Sequence, residues 1–187
     1  MQMNDAKARL AFLEAAEALK DVERSGFTSK GRPEDSAAHS WRLCLWVLVF
    51  EDQLGDVDLL KLLKICILHD LGEAISGDIP APLQQEDKSK AERADFETLT
   101  SILSKEQQHA FLDAWDEYQR AETREAQIAK GLDKLETILQ HVQGANPDNF
   151  DYAFNLNYAR DATSKETLLK FLRELLDEKT RARISAG

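Results

Sequence analysis

The stretch LLKLLKICILHDLGEAISGDIP, Leu59 to Pro80, limits what this chain can fold into more than any other. It opens as a strongly apolar run at helical spacing and closes on Gly77, Asp78 and Pro80, which cannot continue a helix. Between the two lie an adjacent His69-Asp70 pair and Glu73, one helical turn beyond His69. A hydrophobic core has no use for so much ionisable chemistry beside an apolar run, because unpartnered charge there costs free energy.

The rest of the chain repeats the helical pattern. The spacing predicts helices over about 5–21, 36–54, 57–75, 86–102, from Ser104 through Tyr118, and over 122–143. A short helix is expected from about 148, and Ser164 is read as the cap of a last one. Asp35 or Ser36 is expected to cap the second helix and Asp56 or Asp58 the third; Ser104 with Gln107 forms a capping-box pattern. Residues 22–35, with Gly26, Gly31 and Pro33, read as a polar connector. No alternating strand pattern of useful length and no repeat is visible. The expectation is one all-α domain over 1–187, a bundle of about six to eight helices. Its site-bearing core spans about 20–140, with C-terminal helices over 146–187 packed on it.

Composition narrows the function. A net charge of −10 argues against a nucleic-acid polymer as partner, which needs clustered Lys and Arg. It leaves room for a small anionic substrate, since a metal and one or two arginines can neutralise a phosphate locally. Cys44 and Cys66 lie in apolar helical stretches without CxxC spacing and read as buried free thiols. The first residues carry charges throughout, and LCLWVLVF is cut short by Glu51-Asp52, so neither a leader nor a membrane span is expected and the cytoplasm is the default.

Upstream of the doublet stands His39 in HSWR, and downstream Asp133 in GLDKLE. Alone, His39 reads as a capping or core histidine and Asp133 as a solvated charge on a helix flank. Taken with His69 and Asp70 they form a two-imidazole, two-carboxylate set able to hold one divalent ion. Such a mixed N/O set suits Mn, Co, Fe, Ni or Zn better than Ca and leaves positions open for water and substrate. His109 lies in a charged segment and reads as surface; His141, eight residues past Asp133, shares that helix face. Glu73, a turn from His69, reads either as a surface residue at a helix end or as a base or water-orienting carboxylate; Asp78 reads either as an Asx-turn carboxylate or as a group that helps activate water or protonate a leaving oxygen. The residues do not decide which of the two moves which proton.

The ordered set His39, His69-Asp70, Asp133 resembles the HD-domain metal-dependent phosphohydrolases, an all-α fold. RPEDSAAHSWR and HDLGEAISGDIP are similar to the corresponding segments of its 5′-deoxynucleotidase branch, over roughly residues 20–140. One departure is Ala38, where that branch often carries an acidic residue. The resemblance implies hydrolysis of deoxyribonucleoside 5′-monophosphates with one divalent metal (Mg joins the candidates above), functional roles for Glu73 and Asp78, and a homodimer. It also implies a phosphate-orienting arginine. Arg24 stands at a similar spacing, fifteen residues before His39, with Ser25 where the family has an aromatic and Phe27 two places further on to stack on base or sugar. Lys30 and Arg32 compete for that role. The turn Asp78-Ile79-Pro80-Ala81 would line the part of the pocket that excludes a ribose 2′-hydroxyl. Alternatives are an HD-fold hydrolase of nucleotide anhydrides or (p)ppGpp-like esters, and a nucleotide-binding protein without catalysis.

Overall fold

A computed structural model of the chain describes residues 2–78 and 88–186. The helices α1 (Met3–Ala16), α2 (Ser36–Val49), α3 (Glu51–Leu54), α4 (Leu59–Leu68) and α5 (Glu73–Ser76) make up the first half. The second half holds α6 (Lys88–Thr100), α7 (Lys105–Arg120), α8 (Arg124–Gln143), α9 (Ala153–Asn157) and α10 (Thr167–Ala186). Short 3-10 turns at Glu17–Asp21 and Ala162–Ser164 follow α1 and precede α10.

Local chemistry sets the starts of these helices. Asp35 accepts from the Ala38 N–H at 2.7 Å, Asp58 from Lys61 at 3.0 Å, and Ser104 and Thr123 from Gln107 and Ala126, both at 3.3 Å. Each such cap contributes about 1 kcal/mol. Ser164 does not cap α10: its hydroxyl donates back to the Asp161 carbonyl within the 3-10 turn, and the helix opens at Thr167.

The connector expected over 22–35 is a small antiparallel hairpin, β1 (Glu23–Phe27) paired with β2 (Pro33–Asp35). Gly31, at φ +78°, makes its turn with an N–H donated to the Thr28 carbonyl. Strands of five and three residues are too short to show an alternating pattern against a helical background.

Helix α8 is buried along most of its length and packs on α2, α4, α7 and α10. At Gly131 a Cβ would stand 2.3 Å from Leu169 Cδ1 and 3.1 Å from the Ala162 carbonyl oxygen, so a larger residue would displace the Leu169 side chain and crowd the turn before α10. Leu43, Val47, Leu62, Ile65, Leu132, Leu135 and Leu169 fill the cluster around α8, while Phe12, Leu68, Phe96, Leu99 and Trp115 fill a second one among α1, α6 and α7. Helix α4 contributes to both, and the chain leaves it at His69, where the two clusters meet. No helix among the described residues is long and apolar enough to cross a membrane. Trp115 and Tyr118 are buried as a core requires, whereas Phe171 on α10 is 58% exposed.

Candidate metal centre

Helix α4 ends at Leu68, earlier than its apolar pattern suggests, so the His-Asp doublet occupies the turn that follows. His69 still has helical dihedrals, and the backbone beyond it tightens to i, i+3 bonds, with the Leu71 N–H donating to the Leu68 carbonyl at 3.2 Å. His69 Nε2 and Asp70 Oδ2 lie 3.2 Å apart. His39, in the first turn of α2, brings its Nε2 to 3.7 Å from the same Asp70 oxygen. Asp133, mid-way along α8, places Oδ1 3.1 Å from His39 Nε2 and 3.8 Å from His69 Nε2. His39, His69 and Asp70 thus form one cluster, and Asp133 reaches it from a third part of the chain through the two histidines. Asp133 is no flank charge: only 2% of it is exposed.

The donor set fits a divalent ion. Both Nε2 atoms are buried and neither makes a hydrogen bond, although each has carboxylate oxygens close by. Buried nitrogens turned toward anionic oxygens, with no hydrogen bond satisfying them, are what a cation between them requires. The opposite ring nitrogens are engaged: His69 Nδ1 donates to the Cys66 carbonyl at 2.8 Å, and His39 Nδ1 meets the Glu136 carboxylate. The His69 ring is thereby held with Nε2 forward.

The electrostatics point the same way. Burial lowers the basicity of His39, but Glu136 and Asp133 outweigh it and push the imidazole up to about 9. Burial also opposes the charge on His69, yet Asp70 and Asp133 push it up to about 10. Burial disfavours the charged forms of Asp70 and Asp133, but their cationic neighbours hold both below the usual carboxylate range: His69 and Arg24 beside Asp70, Lys134 and the two imidazoles beside Asp133. A site that draws second protons onto two imidazoles is a site for positive charge, and a metal ion would replace those protons.

Arg24, on β1, enters the centre from the side. Its Nη1 donates to Asp70 Oδ2 at 3.1 Å, its Nη2 to Thr137 Oγ1 at 3.4 Å, and its Nε lies 3.7 Å from Glu34. Arg32 instead pairs with Asp35 on the exposed side of the hairpin, and Lys30 is exposed in its turn. Phe27 is bound by its carbonyl to the Gln140 amide, seven residues and about 10 Å along α8 from Asp133. Glu73 is buried and accepts from Ser36 Oγ at 2.8 Å. Burial first, then the charges of Asp70 and Asp78, pushes its carboxyl up to about 8. Asp78 follows Gly77, whose φ of +79° makes the sharp turn there, and its charge acts on both Glu73 and Arg24. Ile79, Pro80 and Ala81 lie outside the described residues.

Further polar groups at this centre were not singled out from the sequence. Tyr118 donates to Asp133 Oδ2 at 2.5 Å, and Lys134 Nζ reaches the same oxygen at 2.7 Å. Glu136 is fully buried between His39 and Arg42, with Arg42 Nε donating to Oε1 at 2.6 Å. Glu34 is buried beside Arg24 and Arg42; burial and the Glu136 charge push it up to about 7. The signal for two of them was present in the spacing: His39/Arg42 and Asp133/Glu136 are i, i+3 pairs, each on one helix face. The C-terminal third also reaches the centre, since the Tyr158 ring lies 5.9 Å from Lys134 Nζ. His141 is buried, with Nδ1 2.8 Å from Asn155 Oδ1 and Nε2 3.5 Å from Ser25 Oγ, bracing the strand that carries Arg24. His109 is exposed.

Comparison with known proteins gives the family and the fold. The HD domain family model matches residues 16–173. The protein named 5′-deoxynucleotidase HDDC2 in Xenopus laevis is 33% identical over 141 residues, 73% of this chain and 69% of that one. Its namesake in Bos taurus is 32% identical over 153 residues, 80% of this chain and 74% of that one. A crystal structure described as a predicted metal-dependent phosphohydrolase from Magnetospirillum magnetotacticum superposes with a TM-score of 0.81 at 24% identity. The match covers 95% of this chain and 96% of that one, a likeness of fold.

Proposed function

The chain belongs to the HD-domain family, and from that premise we propose that it is a metal-dependent phosphohydrolase. Its substrates are deoxyribonucleoside 5′-monophosphates, cleaved to deoxynucleoside and phosphate. The relatives named 5′-deoxynucleotidase support the substrate class. The observation that carries the reading is the cluster of His39, His69 and Asp70, with an Asp133 oxygen 3.1 Å from His39 and 3.8 Å from His69, and Arg24 on the Asp70 carboxylate beside them.

His39, His69, Asp70 and Asp133 would hold one divalent ion, with Mn, Co, Fe, Ni, Zn or Mg as candidates. Such an ion supplies a water of lowered pKa and polarises a phosphoryl oxygen. Arg24 binds and orients the phosphate dianion, its guanidinium turning part of its donor set from Asp70 to the substrate. Glu73 is the group for proton transfer: it is buried in the segment that follows the doublet, held by the Ser36 hydroxyl at 2.8 Å, and burial raises its carboxyl above the usual range. Asp78, presented by the Gly77 turn, sets the charge felt by Glu73 and Arg24. Phe27 and the 78–81 turn belong to the nucleoside side of the reading.

The chain is further proposed to act as a homodimer in the cytoplasm, as a single domain. The free thiols of Cys44 and Cys66 favour a reducing compartment. Exposed Trp41, Leu48 and Val49 beside the groove of Leu45, Trp46 and Leu139 favour a second copy over solvent.

The test is a phosphate-release panel of ribo- and deoxyribonucleoside monophosphates with Mn, Co, Mg and Zn in parallel. Phosphate from deoxymononucleotides, with ribonucleotides cleaved poorly, is expected. Pyrophosphate release from nucleotide anhydrides without monophosphate cleavage would overturn the reading.

A further inference from the structure

We propose that Glu136 and Arg42 are positioning residues: Glu136 fixes the His39 ring so that Nε2 and not Nδ1 meets the metal, and Arg42 fixes Glu136. This rests on the four-ligand reading above and adds to it the parts that make one of those ligands rigid.

The geometry runs outward from His39. Its Nδ1 meets Oε2 of Glu136, a residue with no exposed surface. A carboxylate removed from water costs several kcal/mol unless fully partnered. Glu136 finds its second partner in Arg42, whose Nε donates to Oε1 at 2.6 Å while Nη2 pairs with that same oxygen. Arg42 Nη2 also lies 3.7 Å from Glu34 Oε1, Glu34 Oε2 lies 3.7 Å from Arg24 Nε, and Arg24 returns to Asp70 at 3.1 Å. Groups of alternating sign therefore link ligand His39 through Glu136, Arg42, Glu34 and Arg24 to ligand Asp70, whose Oδ2 is 3.7 Å from His39 Nε2.

This arrangement does two things. A carboxylate on Nδ1 keeps the proton there, leaves the Nε2 lone pair for the metal, and raises its donor strength. The chain of contacts also connects the arginine proposed for the phosphate to the groups that hold the metal ligand.

A competing reading takes Glu34, His39 and Glu136 as a second metal site, since one ligand atom from each falls within 4.8 Å of the others. The guanidinium of Arg42 pairs with both glutamates in that cluster and supplies its cation. The i, i+3 placement of His39 with Arg42 on α2, and of Asp133 with Glu136 on α8, lets each helix present a ligand and a support on one face.

The test uses the full chain and Co(II) alone. Affinity is measured by chelator competition, and ligand geometry by the visible absorption of bound Co(II), in wild type, Glu136→Gln, Arg42→Met and His39→Ala. Glu136→Gln is expected to weaken Co(II) binding about 10- to 100-fold and to alter the absorption band, with Arg42→Met shifting both in the same direction by a smaller factor. Co(II) binding by Glu136→Gln within about twofold of wild type, alongside its loss in His39→Ala, would overturn the positioning role and leave the ligand reading standing. Unchanged binding by His39→Ala would overturn both. Two Co(II) per wild-type chain, falling to one in Glu136→Gln, would favour the second-site reading. A measurement on wild type alone keeps the question open to refutation if Glu136→Gln does not fold. In the Zn(II)-loaded protein, nitrogen NMR of labelled histidine is expected to show His39 protonated at Nδ1 and metallated at Nε2, and the reverse would overturn the proposal.

Discussion

Replacing Tyr118 by Phe isolates one contact to a buried metal ligand. Tyr118 is 5% exposed, its hydroxyl donates to Asp133 Oδ2 at 2.5 Å, and its ring centroid lies 4.8 Å from that of His69. Phe keeps the ring and removes only the hydrogen bond. A bond to a charged group contributes about 1.5–3 kcal/mol. Lys134 stays on the same oxygen at 2.7 Å, which places the loss in the lower half, about 1.5–2 kcal/mol. In a chain of this length that lowers Tm by about 3–8 °C. Lys134→Met removes the other partner of Oδ2. The double variant leaves a buried carboxylate oxygen bare, so its loss should exceed the sum of the single losses by about 0.5–3 kcal/mol. Urea unfolding of metal-free protein, followed by far-UV circular dichroism, measures all four corners of the cycle. Losses that add within about 0.5 kcal/mol would refute the shared-oxygen geometry.

Other consequences follow from the same centre. With His39 and His69 pushed up to about 9 and about 10, both carry a second proton at neutral pH in the metal-free protein, so metal uptake should release about two protons per ion. Calorimetry in buffers of different ionisation enthalpy reads this, and release near zero would contradict it. Because these folded values lie above the ordinary 6.5, the imidazolium contribution to metal-free stability is complete below about pH 6.5 and is lost as pH rises through 9 and 10. Glu73 has the same sign of shift, from 4.5 to about 8, and being an acid it penalises the folded state as pH rises across that window. Glu73→Gln should therefore match metal-free wild type near pH 4 and exceed it above pH 8 by on the order of a few kcal/mol in urea unfolding; equal curves would contradict the burial argument. Arg24→Met should lower kcat/KM for deoxymononucleotides about 10- to 100-fold in steady-state assays, and an unchanged value would remove Arg24 from the phosphate site.

Much of this centre was legible in the chain itself. The doublet His69-Asp70 and the Gly77-Asp78 turn stand out because ionisable groups amid apolar helices need a reason, whereas His39 and Asp133 are ordinary alone and gain meaning only in the set with the doublet. The caps Asp35, Asp58 and Ser104 were visible because their chemistry is local. Other features depend on contacts between distant segments. The hairpin at 23–35 has strands too short to set a period, and it forms because Arg24 and Glu34 find partners on α2 and in the turn after α4. Tyr118 looks like core from its helical spacing; its hydroxyl gains meaning only when α7 packs on α8 beside Asp133. Glu136 reads as an ordinary helix charge until α2 brings His39 and Arg42 against it. The end of α4 at Leu68 was hidden because the apolar pattern runs on through Leu71.

The most direct measurement is a crystal structure of protein grown with Mn(II), with anomalous differences collected at the manganese edge. The expected map has one strong peak within bonding distance of His39 Nε2, His69 Nε2, Asp70 Oδ2 and Asp133 Oδ1. A peak elsewhere, or an ion at the doublet with the Asp133 carboxylate turned away from it, would contradict a single cation gripped by all four.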